Sequence, residues 1–330
     1  MLAKMLNVRI FDVEASSRCN LHCRFCPREA LPDEGLMSDE TFDRFLDWTR
    51  MGRTDTLSFV GMGEPTLNPR LSDFIRRAKT RYPKVNTWVT SNGTTLNESK
   101  FLEVAEAGLD ILDVSFNGMD SATYEREMRG ANFDRTLANL ERAAELIRRR
   151  SLKTRLQINY VVCDGMKDAE ATIQAFWRKR GIGDFRPQRL HNRGGLARTD
   201  AQRGASAPGL GGRACQVHAL FTFVDWHGNV LHCCHDARRR WPLGNVGTCS
   251  WREIQSKKKR VQRRKAWPAM CAACTDHLRF EMERTIRDQA IEGARHQAYR
   301  LWMRAGQRLF CTRPRENPIS EEIIRERVPS

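Results

Sequence analysis

The chain has 330 residues, of which 40% are hydrophobic and 29% charged, and this composition excludes an intrinsically disordered protein. No apolar run approaches the roughly 18–20 residues that cross a bilayer, and the first residues lack a signal-peptide pattern, so we expect a soluble, cytoplasmic protein. The net charge is +16, and residues 251–330 carry 19 Lys and Arg against 10 Asp and Glu. This uneven distribution favours a solvated basic helix over a nucleic-acid interface.

Strand and helix patterns alternate along the first 195 residues. Strands are predicted at 7–15, 56–60, 87–90, 111–116, 156–162 and 185–190. Ser38 is predicted to cap a helix that buries Phe42, Phe45 and Leu46, and further helices are predicted at 70–80, 97–107, 134–150 and 168–180. About six strand–helix units in this order favour a parallel sheet, either open or rolled into a barrel.

The pattern changes after residue 195. Residues 196–214 are rich in Gly, Ala and Arg, which predicts a linker or a long mobile loop. Residues 221–233 then predict a hairpin with its turn at 226–229, and Ser250 with Glu253 has the spacing of a helix capping box. A basic helix is predicted over 278–309. We therefore divide the chain into domains at 1–195 and 215–277, with a basic helix and tail at 278–330.

The chain contains eleven cysteines, and their clustering indicates metal or redox chemistry rather than disulfides. Cys19, Cys23 and Cys26 have the spacing Cys-x3-Cys-x2-Cys directly after the first predicted strand. Three thiolates on one tight loop can bind three irons of a [4Fe–4S] cluster and leave the fourth iron open. A structural zinc site is the alternative, although such sites normally use four protein ligands.

This loop resembles the signature of the radical S-adenosylmethionine (SAM) enzymes, with Phe25 at the aromatic position before the third cysteine. The resemblance implies an α/β fold with a partial (βα)6, TIM-like barrel. It also implies that SAM binds to the open iron and is cleaved to methionine and a 5′-deoxyadenosyl radical, which removes hydrogen from a substrate. An external one-electron reductant of the flavodoxin or ferredoxin type would supply the electron.

Further segments resemble the SAM-binding segments of the same family. The run from Gly61 to Pro65 is similar to the family's GGEP segment, with Met62 in place of the usual glycine. The runs 90–93 and 114–118 are similar to the ends of later barrel strands, where the family places groups near the SAM ribose and carboxylate. The resemblance therefore implies these cofactor-binding residues: Phe25, Gly63, Glu64, Ser115 and Asn117.

A second set of four thiols lies beyond residue 214, at Cys215, Cys233, Cys271 and Cys274. Four protein ligands would saturate a second [4Fe–4S] cluster. The spacing resembles the auxiliary-cluster domains called SPASM and Twitch, and it fits the shorter Twitch form better because only one cysteine follows. A structural zinc site remains an alternative. Cys234 could replace Cys233, because adjacent strand residues face opposite sides and only one of them can be the ligand.

Cys249 precedes the predicted Ser250 cap, beside the positive end of the helix dipole. One interpretation is a hydrophobic staple in which Cys249 packs on Ile254. The other is a catalytic thiol, because an S–H bond is weaker than an ordinary C–H bond and a carbon radical can take its hydrogen. Abstraction from one face of a carbon and return to the other inverts that carbon, which is epimerisation.

The aminosugar-processing members of the radical SAM family include epimerases and dehydrogenases. The resemblance therefore implies a radical SAM epimerase that inverts a carbon of an aminoglycoside sugar. The alternatives are a dehydrogenase of an aminocyclitol, in which the auxiliary cluster oxidises the substrate radical, and an enzyme that modifies a peptide or RNA. A polycationic substrate requires carboxylates at the barrel mouth, and the candidates are Glu14, Asp113, Asp225, Asp236 and Asp276.

Overall fold

The structure is a computed structural model that describes residues 9–52, 55–162, 167–204 and 214–281. The basic helix predicted over 278–309 lies outside the described residues beyond residue 281, as does Cys311. Among the helices that the structure describes, none is both long enough and apolar enough to cross a bilayer.

Six parallel strands form the first part of a continuous sheet. They are β1 (Ile10–Val13), β2 (Thr56–Phe59), β3 (Asn86–Ser91), β4 (Ile111–Ser115), β5 (Arg155–Val162) and β6 (Asp184–Arg189). Each pairs in parallel with the next along the chain, in the order β6-β5-β4-β3-β2-β1. The six predicted strands are therefore confirmed, as a partial barrel.

Helices connect these strands and cover one face of the sheet. They are α1 (Asp39–Trp48), α2 (Leu71–Arg81), α3 (Glu98–Glu106), α4 (Ser121–Glu127), α5 (Phe133–Arg149) and α6 (Lys167–Arg178). The Ser38 side chain accepts a hydrogen bond from the backbone N–H of Thr41, so the predicted cap of α1 is confirmed. The short α4 was not predicted from the sequence.

The strands separate an apolar face from a polar one. Phe11 and Val13 are fully buried in the core between the sheet and its helices, and the Phe11 ring lies 6.1 Å from that of Phe45 on α1. Because successive strand residues point to opposite faces, Asp12 points to the other side. Its neighbour in the register is Ser58 on β2, which shares that face. The polar face is the interior of the barrel.

The C-terminal part of the chain extends this sheet. Its elements are α7 (Asp200–Gly204), α8 (Gln216–Leu220), β7 (Phe221–Val224), β8 (Asn229–Leu231), β9 (Pro242–Asn245), α9 (Trp251–Arg264) and α10 (Ala269–Ala273). Strand β7 pairs in parallel with β1, and β8 and β9 follow as antiparallel strands. The predicted hairpin and the capping box at Ser250 are both confirmed.

The segment predicted as a linker is partly ordered. Residues 200–204 form α7, and the Gln202 side chain is fully buried. Gln202 accepts a hydrogen bond from the backbone N–H of Arg198 and donates to the carbonyl oxygens of Phe25 and His191. The prediction of a mobile loop is therefore wrong for residues 198–204, which are tied to the first cysteine loop.

Candidate metal centres and active site

The first cysteine loop begins after β1 and brings three thiols together. The pKa of Cys23 is raised to about 12, mainly by burial and then by the neighbouring Cys26 and Cys19 thiols. All three side chains are half-buried. Thiols that oppose each other's ionisation in this way fit a cationic iron–sulfur cluster, whose charge would stabilise the three thiolates together.

The backbone of this loop is fixed by distant parts of the chain. The N–H groups of His22 and Arg24 donate to the carbonyls of Arg129 and Glu127, at 2.8 and 3.0 Å. On the other side, the amide of Gln202 donates to the Phe25 carbonyl at 3.0 Å. Sequence reasoning missed Gln202, because it stands in a Gly- and Ala-rich segment that has no helical periodicity.

Gly63 lies against the chain just before the first cysteine. A Cβ atom at this position would lie 2.3 Å from the carbonyl oxygen of Ser16 and 2.5 Å from that of Arg18. The following N–H, of Glu64, donates to the Arg18 carbonyl at 2.8 Å. Only glycine allows this approach, which holds the segment after β2 against the cysteine loop.

The Glu64 carboxylate joins the ends of two strands. It is buried and accepts hydrogen bonds from the N–H of Thr66, the hydroxyl of Ser91 and the N–H of Asn92, at 3.1, 2.8 and 2.6 Å. The predicted contact between Glu64 and SAM is not tested by these bonds. They assign its side chain a positioning role, which keeps the loops after β2 and β3 together.

The other residues predicted to bind SAM lie at the same edge of the sheet. Ser115 is the last residue of β4 and is half-buried. Asn117 follows it, and its side-chain oxygen accepts a hydrogen bond from the N–H of Val161 at 2.8 Å. Phe25 is half-buried in the cysteine loop. The carboxyl ends of parallel strands meet at one edge, so the fold brings these residues to the side where barrel enzymes bind their ligands.

The second set of thiols lines one pocket. Cys215, Cys233, Cys271 and Cys274 all face it, together with His235 and Asp276. The pKa of Cys215 is raised to about 12, mainly by burial and also by the Cys233 and Cys274 thiols. Cys234 does not line the pocket, and its Sγ lies 3.9 Å from that of Cys233. Four converging thiols suit a cluster with four protein ligands.

Several polar side chains surround this pocket. Sequence reasoning did not identify them as neighbours of the second thiol set. His232 places its Nε2 atom 3.6 Å from the Sγ of Cys271. His235 and Asp276 form a buried pair, with 2.9 Å between Nε2 and Oδ2. The buried Lys258 on α9 donates to the carbonyl of Phe221. The sequence signal was the pair His232 and His235, which flank Cys233 and Cys234.

Two family descriptions match the chain. Residues 13–174 match the radical SAM superfamily, and residues 215–275 match the iron–sulfur cluster-binding domain called SPASM. The chain is a radical SAM enzyme with a SPASM-type cluster domain. Its cofactors are therefore SAM and two [4Fe–4S] clusters.

Curated relatives resemble mainly the radical SAM part. A tungsten-containing aldehyde ferredoxin oxidoreductase cofactor-modifying protein of Pyrococcus furiosus is 34% identical over 112 residues, which are 33% of this chain and 31% of that protein. A GTP 3′,8-cyclase of Limosilactobacillus fermentum is 29% identical over 163 residues, which are 48% of this chain and 47% of that protein. The chain thus spans about a third to a half of the length of these relatives.

Solved structures share the fold over most of the chain. BtrN in complex with AdoMet and 2-DOIA has a TM-score of 0.58 at 18% identity, covering 82% of this chain and 94% of BtrN. The native anSMEcpe with bound AdoMet has a TM-score of 0.56 at 18% identity, covering 81% of this chain and 88% of that one. These similarities confirm the predicted radical SAM barrel with a C-terminal cluster domain.

Cys249 of this radical SAM enzyme lies on the helix-covered face of the sheet. A Cβ at Gly244 of β9 would lie 2.6 Å from its Sγ and 2.8 Å from the Cδ1 of Ile254. The strand pairing connects Gly244 with Val230, Val230 with Val224, and Val224 with Val13. Paired residues point to the same face, so these four positions lie on the face opposite to Asp12. Cys249 and Ile254 pack side by side over Gly244, as a hydrophobic staple would place them.

Three of the five carboxylates predicted to bind substrate have structural partners outside the barrel interior. Asp225 accepts hydrogen bonds from the N–H groups of His227 and Asn229 in the turn before β8. Asp236 accepts from the N–H groups of Arg240 and Trp241. Asp276 lines the second thiol pocket. Local turns and His235 use these three carboxylates, and their role as substrate ligands stays a prediction.

The other two carboxylates belong to the barrel, and each pairs with an arginine, although Arg239 is shared with Asp33 and Asp225. Glu14 follows β1, and its Oε2 lies 2.7 Å from the guanidinium of Arg239. Asp113 on β4 is completely buried and forms an ion pair with Arg186 on β6. Both carboxylates therefore already have an arginine partner within the chain.

Proposed function

We propose that this radical SAM enzyme is an epimerase that inverts C-5‴ of neomycin C to give neomycin B. In overall layout and in the residues around Cys249, the chain resembles the radical SAM epimerase of neomycin biosynthesis. The observation that carries the proposal is the polarity of the barrel interior, which suits a substrate rich in hydroxyl and ammonium groups.

That interior is a network of side-chain hydrogen bonds centred on Asp113. Thr90 on β3 donates to this carboxylate at 3.2 Å, and Gln157 and Asn159 on β5 donate to it at 2.9 and 3.3 Å. Hydroxyl and amide groups on several strands can exchange such bonds with the hydroxyl groups of a sugar. An apolar substrate offers no partner for the donors and acceptors of these groups that Asp113 leaves free.

The proposal assigns each cofactor to a set of binding residues. Cys19, Cys23 and Cys26 hold the first cluster, and Phe25, Gly63, Glu64, Ser115 and Asn117 surround SAM. Cys215, Cys233, Cys271 and Cys274 hold the second cluster. When bound, the first cluster and SAM supply a 5′-deoxyadenosyl radical that removes the hydrogen atom from C-5‴.

Cys249 returns the hydrogen. Its S–H bond breaks as a new C–H bond forms on the opposite face of C-5‴, and a thiyl radical remains on the sulfur. One electron from an external reductant of the flavodoxin or ferredoxin type and one proton from water would restore the thiol. Cys215, Cys233, Cys271 and Cys274 would hold the second cluster, which would supply an electron carrier for this step. Because the Cys249 side chain packs over Gly244, this step requires residues 246–250 to rearrange and present the thiol to the substrate.

The test is turnover of the anaerobically reconstituted enzyme with SAM, reductant and neomycin C in D2O. We expect neomycin B with one deuterium at C-5‴, because thiol hydrogens exchange with solvent. Cys249→Ala should still cleave SAM and consume the C-5‴ hydrogen, yet form no neomycin B. Cys234→Ala is the matched control, since it removes a thiol that does not line the cluster pocket. Full epimerisation by Cys249→Ala would refute the assignment of the donor.

The placement of Cys249 also favours a second candidate function. If residues 246–250 keep their position, no hydrogen is delivered to the substrate from this thiol. When bound, the second cluster, held by Cys215, Cys233, Cys271 and Cys274, would supply an acceptor for one electron from a radical at a hydroxyl-bearing carbon. Loss of the hydroxyl proton would then complete the oxidation to a carbonyl group, which is the dehydrogenase reaction. The same experiment separates the two functions, because a dehydrogenase gives a carbonyl product without deuterium at that carbon.

A further inference from the structure

We propose that Asp12 is the counter-ion for an ammonium group of the substrate inside the barrel. This proposal rests on the proposed aminoglycoside substrate, and it adds a specificity-determining residue that the sequence did not single out. It follows from the position of Asp12 in the sheet, from its burial, and from the pairing of the charged side chains around it.

Asp12 faces the barrel interior from the middle of β1. Its neighbours Phe11 and Val13 pack on the helices, and its register partners are Ser58 on β2 and then Trp88 on β3. The positive charge of Arg186 on β6 acts on Asp12, although four strands separate β1 from β6 in the sheet. The curved sheet therefore brings Asp12 and Arg186 toward each other across the interior.

Asp12 is the carboxylate of this interior that lacks a cation. Only 7% of its surface is exposed, and the hydroxyl of Ser58 donates a hydrogen bond to it. In the part of the chain that the structure describes, no Lys, Arg or His forms an ion pair with it. Arg186 cannot serve, because its guanidinium is held by Asp113 and lies over the Trp88 ring, 5.4 Å from its centre.

The charges therefore leave the interior negative in a chain with a net charge of +16. Arg186 pairs with Asp113, and Arg239 is shared by Glu14, Asp33 and Asp225, while Asp12 has no ion pair of its own among the described residues. A buried carboxylate without a cation is costly, and the cost is removed when a ligand supplies one. An ammonium group beside Asp12 would neutralise its carboxylate, and a neutral or anionic group at the same place would not.

The test is the affinity of the holoenzyme for neomycin C, measured by anaerobic calorimetry with SAM bound and no reductant. Asp12→Asn should weaken binding by about 30-fold or more, as expected for removal of one partner of a buried charge pair. Per-N-acetylated neomycin C, which has no ammonium groups, should lose little affinity with this variant. Asp134→Asn is the control, because it makes the same change in net charge at an exposed position on α5.

Each result decides between the proposals. Equal binding by the wild type and Asp12→Asn, with unchanged iron content and SAM binding, would overturn the role of Asp12 and leave the proposed function standing. If the wild type does not bind neomycin C, the proposed function fails, and glucosamine becomes the probe. Weaker binding of glucosamine by Asp12→Asn would then support the counter-ion role, whereas equal binding or none at all would overturn it.

Discussion

The same buried carboxylate should make the folded protein less stable at neutral pH than at acidic pH. The pKa of Asp12 is raised to about 7, mainly by burial and to a smaller extent by the Cys233 thiol, while the Ser58 hydroxyl and the Arg186 charge partly oppose the increase. An unfolded aspartate has a pKa of about 3.9, and each pKa unit corresponds to about 1.4 kcal/mol. Ionised Asp12 therefore lowers the free energy of unfolding by up to about 4 kcal/mol above pH 7.

The sign follows from proton binding. Between pH 4 and pH 7 the folded state holds a proton on Asp12 that the unfolded state has lost, so stability falls as the pH rises through this range. Asp12→Asn removes the titration, and its advantage over the wild type should grow with pH. About half of the 4 kcal/mol should develop between pH 5.5 and pH 8.

The assay is chemical unfolding of the holoenzyme under anaerobic conditions at several pH values, without substrate. Ser58→Ala is the matched control, because it keeps the carboxylate and removes its hydrogen-bond donor, so the pH dependence should persist and become steeper. An Asp12→Asn variant whose stability difference from the wild type is the same at pH 5.5 and pH 8 would refute the reasoning. So would a variant that is less stable at every pH.

Three further predictions concern the support of the site. Gly63→Ala should abolish SAM binding measured by equilibrium dialysis, because its methyl group would collide with the carbonyl of Ser16; retained binding would show that the two loops can separate. Gln202→Ala should lower the iron content of the first cluster after gel filtration, since the Phe25 carbonyl loses its donor; full iron retention would contradict this. Arg186→Gln should destabilise the protein by about 3–5 kcal/mol in denaturant unfolding, because it leaves Asp113 buried without its partner. Adding Asp113→Asn should recover part of the loss. A double variant that is no more stable than the single variant would argue against this reasoning.

The local features of the fold could be predicted because they depend on residues close in sequence. The alternation of Phe11, Asp12 and Val13 predicts a strand with one apolar face, and Ser250 with Glu253 predicts a helix start, as the structure has it. The two thiol sets follow from spacing in the same way. What these patterns specify is the order of the elements and the loop that each cysteine occupies.

The charge pairs could not be predicted, because their partners are far apart in the chain. Arg239 is 225 residues from Glu14, and Arg186 is 73 residues from Asp113. No local pattern connects such residues. The sequence therefore predicts Glu14 and Asp113 as substrate ligands, although each already pairs with an arginine of the chain. The sequence does indicate the face on which Asp12 lies, because the alternation of β1 places it on the same face as Glu14. A single acidic residue in an apolar strand, however, does not show whether a cation lies opposite to it.

The pairing of β1 with β7 has a consequence for how the chain is made. Ile10 of β1 lies beside Phe221, which is synthesised 211 residues later. At about 5–20 residues per second, the ribosome needs about 10–40 s to supply that partner. During this interval one edge of β1 is unpaired, and an unpaired edge is a template for association with other chains. The cysteine loop that follows β1 is attached to this open edge, so a nascent chain has its first three thiols on its least protected strand until the hairpin arrives.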